Sequence, residues 1–224
     1  MVYHERMRSV PILEDSYYHV YNRGDKKQVL FLCKADYVRF LYLLLYFQSP
    51  VVISQTNRAV SHFLKHDFFK VQPADLKEIL DTRTVEVLNF CKMPNHFHIT
   101  IHNLTQNGIS KYMHRVSNAY AKYFNTKYEK TGHVFQGAYK AKIIDTDEQL
   151  MYLSAYIHRN PSEISLWKHD SIKYPWSSYR DYDNNRWGKL LDPSMIMNTY
   201  RSFSEYDKYV CASGAKDLNV LHSV

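Results

Sequence analysis

Two histidines flank one apolar residue in His96-Phe97-His98, at the start of an alternating run that reaches His102. Successive side chains of a β-strand point to opposite faces. His96, His98, Thr100 and His102 would then share one face, while Phe97, Ile99 and Ile101 enter a core. Two imidazoles side by side on a rigid strand can hold one divalent cation. The same pairing occurs in cupin-like barrels, at strand ends of metal-hydrolase barrels and on plain polar faces, so spacing alone leaves those roles open. A second reactive set lies between Tyr152 and Pro161. Tyr152, Tyr156 and Asn160 are four residues apart and share a helix face, with Leu150, Leu153 and Ile157 on another. A phenol is ordinarily a packing or rim residue. It enters the chemistry when it faces a metal site and stands one turn before an amide oxygen that can act as a ligand. Pro161 ends that helix, and its last turn decides whether Asn160 reaches the cation.

The elements that must position these groups alternate along the chain. Tyr17 to Tyr21 reads as a strand, stopped by the turn signal Asn22-Arg23-Gly24. Ala35 to Phe47 is apolar nearly all round and predicts a core helix. Residues 48–83 break the pattern. Ser61–Phe69 and Ala74–Leu80 are short helices there, and the segment reads as an insertion or a mobile lobe. Thr84–Lys92 and His96–His102 predict a hairpin across Pro94-Asn95. Gly108–Tyr128 predicts a long helix, Val134–Ile144 a fourth strand, and Asp147–Arg159 a helix with an acidic first turn. Strand, helix, strand, strand, helix, strand is the order of an α+β, ferredoxin-like split βαβ antiparallel sheet with helices on one face. A wrapping tail follows, and the chain divides into a main unit of residues 1–182 and a C-terminal helical tail of residues 183–224.

Composition bounds the possibilities. The 224 residues are 45% hydrophobic and 23% charged, ordinary for a globular domain. A net charge of +7 suggests a polyanionic partner, nucleic acid before membrane. Cys33, Cys91 and Cys211 show no paired spacing and fit a reducing compartment. With no apolar signal core and no bilayer-length apolar run, the expected location is the cytoplasm, without a membrane partner. Only 6 glycines argue against a barrel or jelly roll made of many tight turns, which demotes the cupin reading.

Met93-Pro94-Asn95-His96-Phe97-His98 together with Tyr156-Ile157-His158-Arg159-Asn160-Pro161 resembles the single-tyrosine HUH transposases, nearest the insertion-sequence-like and REP-associated branch. Tyr18-His19-Val20-Tyr21-Asn22-Arg23-Gly24, Tyr120 to Asn125, Gly132 to Gly137 and Trp176 to Tyr179 support the resemblance, which runs in matching order from Tyr17 to Tyr182. It implies a ferredoxin-like domain that cuts and rejoins single-stranded DNA, with hairpins or structured repeat ends as the expected substrate. His96 and His98 take the metal-ligand positions, Asn160 the third ligand position and Tyr156 the nucleophile position. Related enzymes include monomers and homodimers that exchange the tyrosine helix. Residues 48–83 are longer than that family needs, and no role transfers to them.

The residues allow that chemistry. Attack of Tyr156 on phosphorus would give a 5′-phosphotyrosine and a 3′-hydroxyl, one phosphoester replacing another, so rejoining needs no ATP. A divalent cation, Mg2+ or Mn2+, would stabilise the charge that builds on the phosphate. Imidazole ligands favour Mn2+. Arg23, Lys111, Arg115, Lys140 and Lys142, interleaved with Tyr112 and Tyr139, could supply a basic, stacking groove for the strand. Three other readings compete. A two-tyrosine rolling-circle nicking enzyme would use Tyr152 with Tyr156. A nonenzymatic nucleic-acid-binding protein would need neither motif. A metal hydrolase using water would need further carboxylates near the histidines.

Overall fold

The computed structural model describes residues 12–52 and 55–214. Strand β1 (Ser16–Arg23) leads to helix α1 (Lys34–Tyr46), then to α2 (Thr56–His66) and α3 (Pro73–Asp81). The hairpin β2 (Val85–Met93) and β3 (His96–Asn103) follows, then α4 (Gly108–Lys127), β4 (Lys140–Ile144) and α5 (Asp147–Arg159). Short turns connect to α6 (Asp181–Asn184), α7 (Ser194–Met197) and α8 (Phe203–Ala212). The four strands form one antiparallel sheet in the order β2-β3-β1-β4. With α1 and α4 as the two crossovers, this is the ferredoxin-like arrangement that the order of elements predicts. It sets β1 between β3 and β4, so residues far apart in sequence share rows across the sheet.

The alternation in each strand decides what each face buries. Tyr18, Val20, Val87, Phe97, Ile99 and Ile101 turn to one side, against Phe40, Leu41, Leu44, Met113, Val116 and Tyr120 of α1 and α4. Helix α1 is apolar all round because its outer side is covered too. Val60 and Phe63 of α2, Phe69 beyond it and Ile79 of α3 join the same core, and Phe69 meets the Tyr42 ring at 5.1 Å. Residues 48–83 thus contribute two helices that complete the burial of α1.

Two expectations are corrected. The helices do not all share one face: α5 crosses the opposite, histidine-bearing face, where its Leu153 and Ile157 cluster with Cys91 and Met93 of β2. The register explains this. Cys91 and Met93 stand opposite His98 and His96, so β2 adds an apolar patch to a polar face, and the apolar stripe of α5 covers it. The fourth strand is also shorter than Val134–Ile144, since only Lys140–Ile144 pairs in the sheet. Gly137 adopts φ +74°, a left-handed conformation that breaks an extended chain. The preceding stretch instead folds over the end of β1, with the Asp25 N–H donating to the Val134 carbonyl at 2.9 Å and the Gln136 N–H to the Arg23 carbonyl at 2.8 Å.

Helix α5 is fixed from behind by the C-terminal segment. The buried Tyr206 hydroxyl of α8 lies 2.6 Å from Ser154 Oγ and 2.6 Å from His158 Nδ1. His158 Nε2 lies 2.9 Å from Ser178 Oγ, and the Phe90 N–H of β2 donates to that oxygen at 2.9 Å. This buried chain ties α8 through α5 to the sheet. Tyr206→Phe keeps the ring and strands Ser154 and His158, so unfolding free energy should fall by about 1–3 kcal/mol. Urea denaturation measures it, and an unchanged midpoint would show that the network does not hold α5.

Candidate active site

The histidine face of the sheet and α5 enclose a cleft of about 580 Å³. Three strands supply its floor. Tyr21 of β1 stands opposite His98 and Lys140, His19 opposite Thr100 and Lys142, and Arg23 opposite His96. Period-two alternation turns all of these side chains the same way, while Val20 and Phe97 go to the core. Tyr156, Asn160 and Glu163 line the cleft from α5 and the 3-10 turn that continues it (Asn160–Glu163).

Both histidines of the motif are oriented by hydrogen bonds at Nδ1. His96 Nδ1 lies 2.8 Å from the Asn95 side-chain oxygen. An amide oxygen only accepts, so His96 carries its proton on Nδ1 and its lone pair on Nε2. His98 Nδ1 lies 2.8 Å from Nε2 of His19. The His96 and His98 rings are 5.2 Å apart and nearly perpendicular, at 87°. Asn160 continues the α5 backbone in helical conformation, φ −49° and ψ −41°, despite Pro161. Its amide nitrogen donates back to the Tyr156 carbonyl at 2.9 Å, which leaves the side-chain oxygen as its ligand-type atom. Two imidazoles and one amide oxygen fit Mn2+, and Mg2+ with less affinity. Among the described residues, no group of three or more His, Cys, Asp and Glu side chains is placed to hold a metal.

The Tyr156 ring meets His98 edge-on at 5.5 Å and His19 at 6.4 Å. Burial pushes its phenol above the ordinary 10.0, and the charge of Glu163 adds to this, while a hydrogen bond with Asn160 works the other way. Tyr152 faces elsewhere. Its hydroxyl is buried and its ring packs against the main core, outside the cleft. His102 shares the face of His96 and His98 but is committed at the far end of the sheet. Its Nδ1 lies 2.9 Å from Glu86 and its Nε2 2.8 Å from Asp15.

The proposed DNA contacts divide. Arg23, Lys140 and Lys142 line the cleft. Lys111, Tyr112, Arg115 and Tyr139 do not, because α4 packs on the opposite face of the sheet. The Tyr112 hydroxyl is buried and donates to the Leu44 carbonyl at 2.8 Å, and Arg115 donates to the carbonyls of Ser49 and Val51. Tyr139 donates to Ser110 Oγ of α4 at 3.3 Å. These four lie away from the cleft, on the side of the domain where Tyr112, Arg115 and Tyr139 make the contacts just given. His19, Tyr21, Asn22, Gln136 and Glu163, which sequence spacing alone does not mark as site residues, also line the cleft. The signal for His19 and Tyr21 was their alternation with Tyr18 and Val20, readable once β1 is set beside β3.

Burial pushes His19 down to about 3, with Lys142 adding to it, and likewise holds His158 at about 3, from an ordinary 6.5. Both stay neutral in the fold, whereas the unfolded chain binds protons below about pH 6.5. Stability should therefore fall as pH drops from about 6.5 toward 3, by up to about 1.4 kcal/mol per pH unit for each group. His102 has the opposite sign. Its hydrogen bond to Glu86 raises it, so its contribution is present at low pH and fades as pH rises through its folded value. Denaturation at pH 7 and pH 5 tests this. His158→Gln should flatten the decline, and a decline of unchanged slope would mean that His158 does not titrate with unfolding.

Comparison with known proteins adds a family. Residues 51–160 match the family described as "Transposase IS200 like". That span holds both motifs from which the resemblance was drawn, His96-Phe97-His98 and Tyr156 to Asn160, and leaves β1 outside. The solved structure of a REP-associated tyrosine transposase bound to a REP hairpin is similar at 13% identity and a TM-score of 0.49, over 81% of this chain and 86% of that one. No match was found among curated proteins. Among the described residues no helix is long and apolar enough to cross a membrane.

Proposed function

We propose, from the match to the IS200-like transposases over residues 51–160, that this chain cuts and rejoins single-stranded DNA through a phosphotyrosine link to Tyr156. The observation that carries the reading is the convergence of Tyr156, Asn160, His96 and His98 on one cleft that Arg23, Lys140 and Lys142 also line. When bound, a divalent cation held by His96, His98 and Asn160 would supply positive charge for the phosphate oxygens and the ionised phenol. The three basic side chains hold the flanking phosphates and orient the strand. Tyr156 Oη then attacks phosphorus in line, the bond to the 3′-oxygen breaks, and the 5′-phosphate remains on the tyrosine until a 3′-hydroxyl reverses the step. The raised pKa of Tyr156 means that the phenol enters the cleft protonated, so cleavage should speed up with pH. The buried hydroxyl of Tyr152, outside the cleft, counts against a two-tyrosine enzyme.

The test is incubation with single-stranded hairpin DNA from the ends of its own locus in Mn2+, followed by a denaturing gel. A DNA–protein adduct is expected. Binding without an adduct would favour a nonenzymatic binder, and cleavage without one a hydrolase.

The groove makes a second demand. Each phosphate neutralised on a single strand adds about −0.7 to the slope of log affinity against log salt, so three cations give a slope of about −2. Replacing Lys140 and Lys142 by Gln should weaken binding and reduce that slope by about 1.4. Arg115→Gln, on the far face, should leave the slope alone. An unchanged slope in the double variant would put the DNA elsewhere.

A further inference from the structure

His19 is the buried group nearest the histidine pair that the chemistry above leaves without a task. It sits on β1, one strand over from the motif, and is 6% exposed. Its Nε2 lies 2.8 Å from His98 Nδ1, and the two rings stack at 5.0 Å and 21°. Tyr21 stacks on both, at 4.7 Å from His19 and 5.7 Å from His98. The contact is thus built from two sides: a hydrogen bond in line, and an aromatic lid that fixes both ring planes.

The direction of that hydrogen bond follows from the chemistry of a liganding imidazole. A neutral imidazole that gives Nε2 to a cation carries its one proton on Nδ1. His98 Nδ1 must then donate, and whatever stands 2.8 Å away must accept. His19 can accept only if its Nε2 carries no proton. His96 receives the same service from the Asn95 side-chain oxygen. The two ligands therefore have separate orienting partners, one an amide in the hairpin turn and the other an imidazole on the neighbouring strand.

We propose that His19 is a positioning residue for the metal site: by accepting the Nδ1 proton of His98 it fixes the tautomer that turns the Nε2 lone pair of His98 toward the cation. The proposal rests on the metal reading given under the proposed function, and it assigns His19 no contact with metal or DNA. Outer partners of this kind orient a ligand and raise its basicity, and their loss commonly costs 10–100-fold in metal affinity. Gln is a fair replacement, because its side-chain oxygen can accept at about the place of Nε2. Leu fills the buried space and cannot accept.

The experiment uses the full chain and has two readouts besides activity. Two-bond 1H–15N spectra of the metal-free protein report which ring nitrogen is protonated. Titration with Mn2+ alone reports affinity. In the unsubstituted protein His98 should carry its proton on Nδ1 and His19 should show a bare Nε2. In His19→Leu the His98 proton should move to Nε2 in part or whole, with Mn2+ affinity down about 10–100-fold. His19→Gln should recover most of that affinity, which loss of packing alone would not predict. A folded His19→Leu chain with undiminished Mn2+ affinity would overturn the proposal. So would a spectrum of the unsubstituted protein with His98 protonated on Nε2, a result that needs no variant to fold. Equal loss in the Leu and Gln variants would also overturn it, because a purely structural role predicts that result. If the unsubstituted chain binds no Mn2+ while His98 is protonated on Nδ1, the metal reading fails and the hydrogen-bond direction stands.

Discussion

Tyr156→Phe is expected, on the proposed mechanism, to abolish the DNA adduct, a fall of at least about 10³-fold, the scale on which loss of a nucleophile acts. The change removes one oxygen and keeps the ring that meets His98 and His19 edge-on. Packing should survive, and the bond from the Asn160 amide to the Tyr156 backbone carbonyl is kept. DNA affinity should also survive, because Arg23, Lys140 and Lys142 are untouched. Tyr152→Phe should leave the adduct intact, since that hydroxyl is buried outside the cleft. Denaturing gels with labelled hairpin DNA separate the two variants. An undiminished adduct from Tyr156→Phe, or an adduct peptide mapped to Tyr152, would overturn the assignment.

What the sequence made legible, and what it hid, follows from the range of each signal. The period-two run from His96 to His102 exposed both the strand and its chemical face, because alternation is local. The four-residue spacing of Tyr152, Tyr156 and Asn160 gave a helix face, but could not say which tyrosine meets the sheet. That depends on how α5 lies over Cys91 and Met93, a contact set by strand register. The split of the basic set between the two sides of the sheet was hidden for a related reason. Lys111 and Arg115 read as surface charge on an amphipathic helix, and nothing in α4 says that it lies behind the sheet. Arg115 instead caps backbone carbonyls at Ser49 and Val51. His19 is the reverse case. Its neighbours in sequence are apolar and aromatic, and its partner is 79 residues away, so its role is visible only once β1 pairs with β3.

Removing the histidines one at a time should separate catalysis from stability. His96→Ala and His98→Ala are both expected to lose Mn2+ binding and to lower adduct formation by at least about 10³-fold, each removing one of the two imidazoles proposed to hold the ion. Their effects on folding should differ. His96 is partly exposed, and its partner Asn95 lies in a half-exposed turn where water can replace the lost contact. The cost there should stay within about 0.5 kcal/mol. His98 is 9% exposed, and its removal leaves buried His19 facing a void. An orphaned buried polar group costs about 1–3 kcal/mol, so His98→Ala should unfold at visibly lower urea. Calorimetric Mn2+ titration and urea denaturation on both variants check the two halves. Full Mn2+ affinity in either folded variant would show that the pair does not hold a shared ion. Equal stability of the two would show that the contact between β1 and β3 histidines contributes nothing to the fold, and that the cleft floor is held by the strand pairing alone.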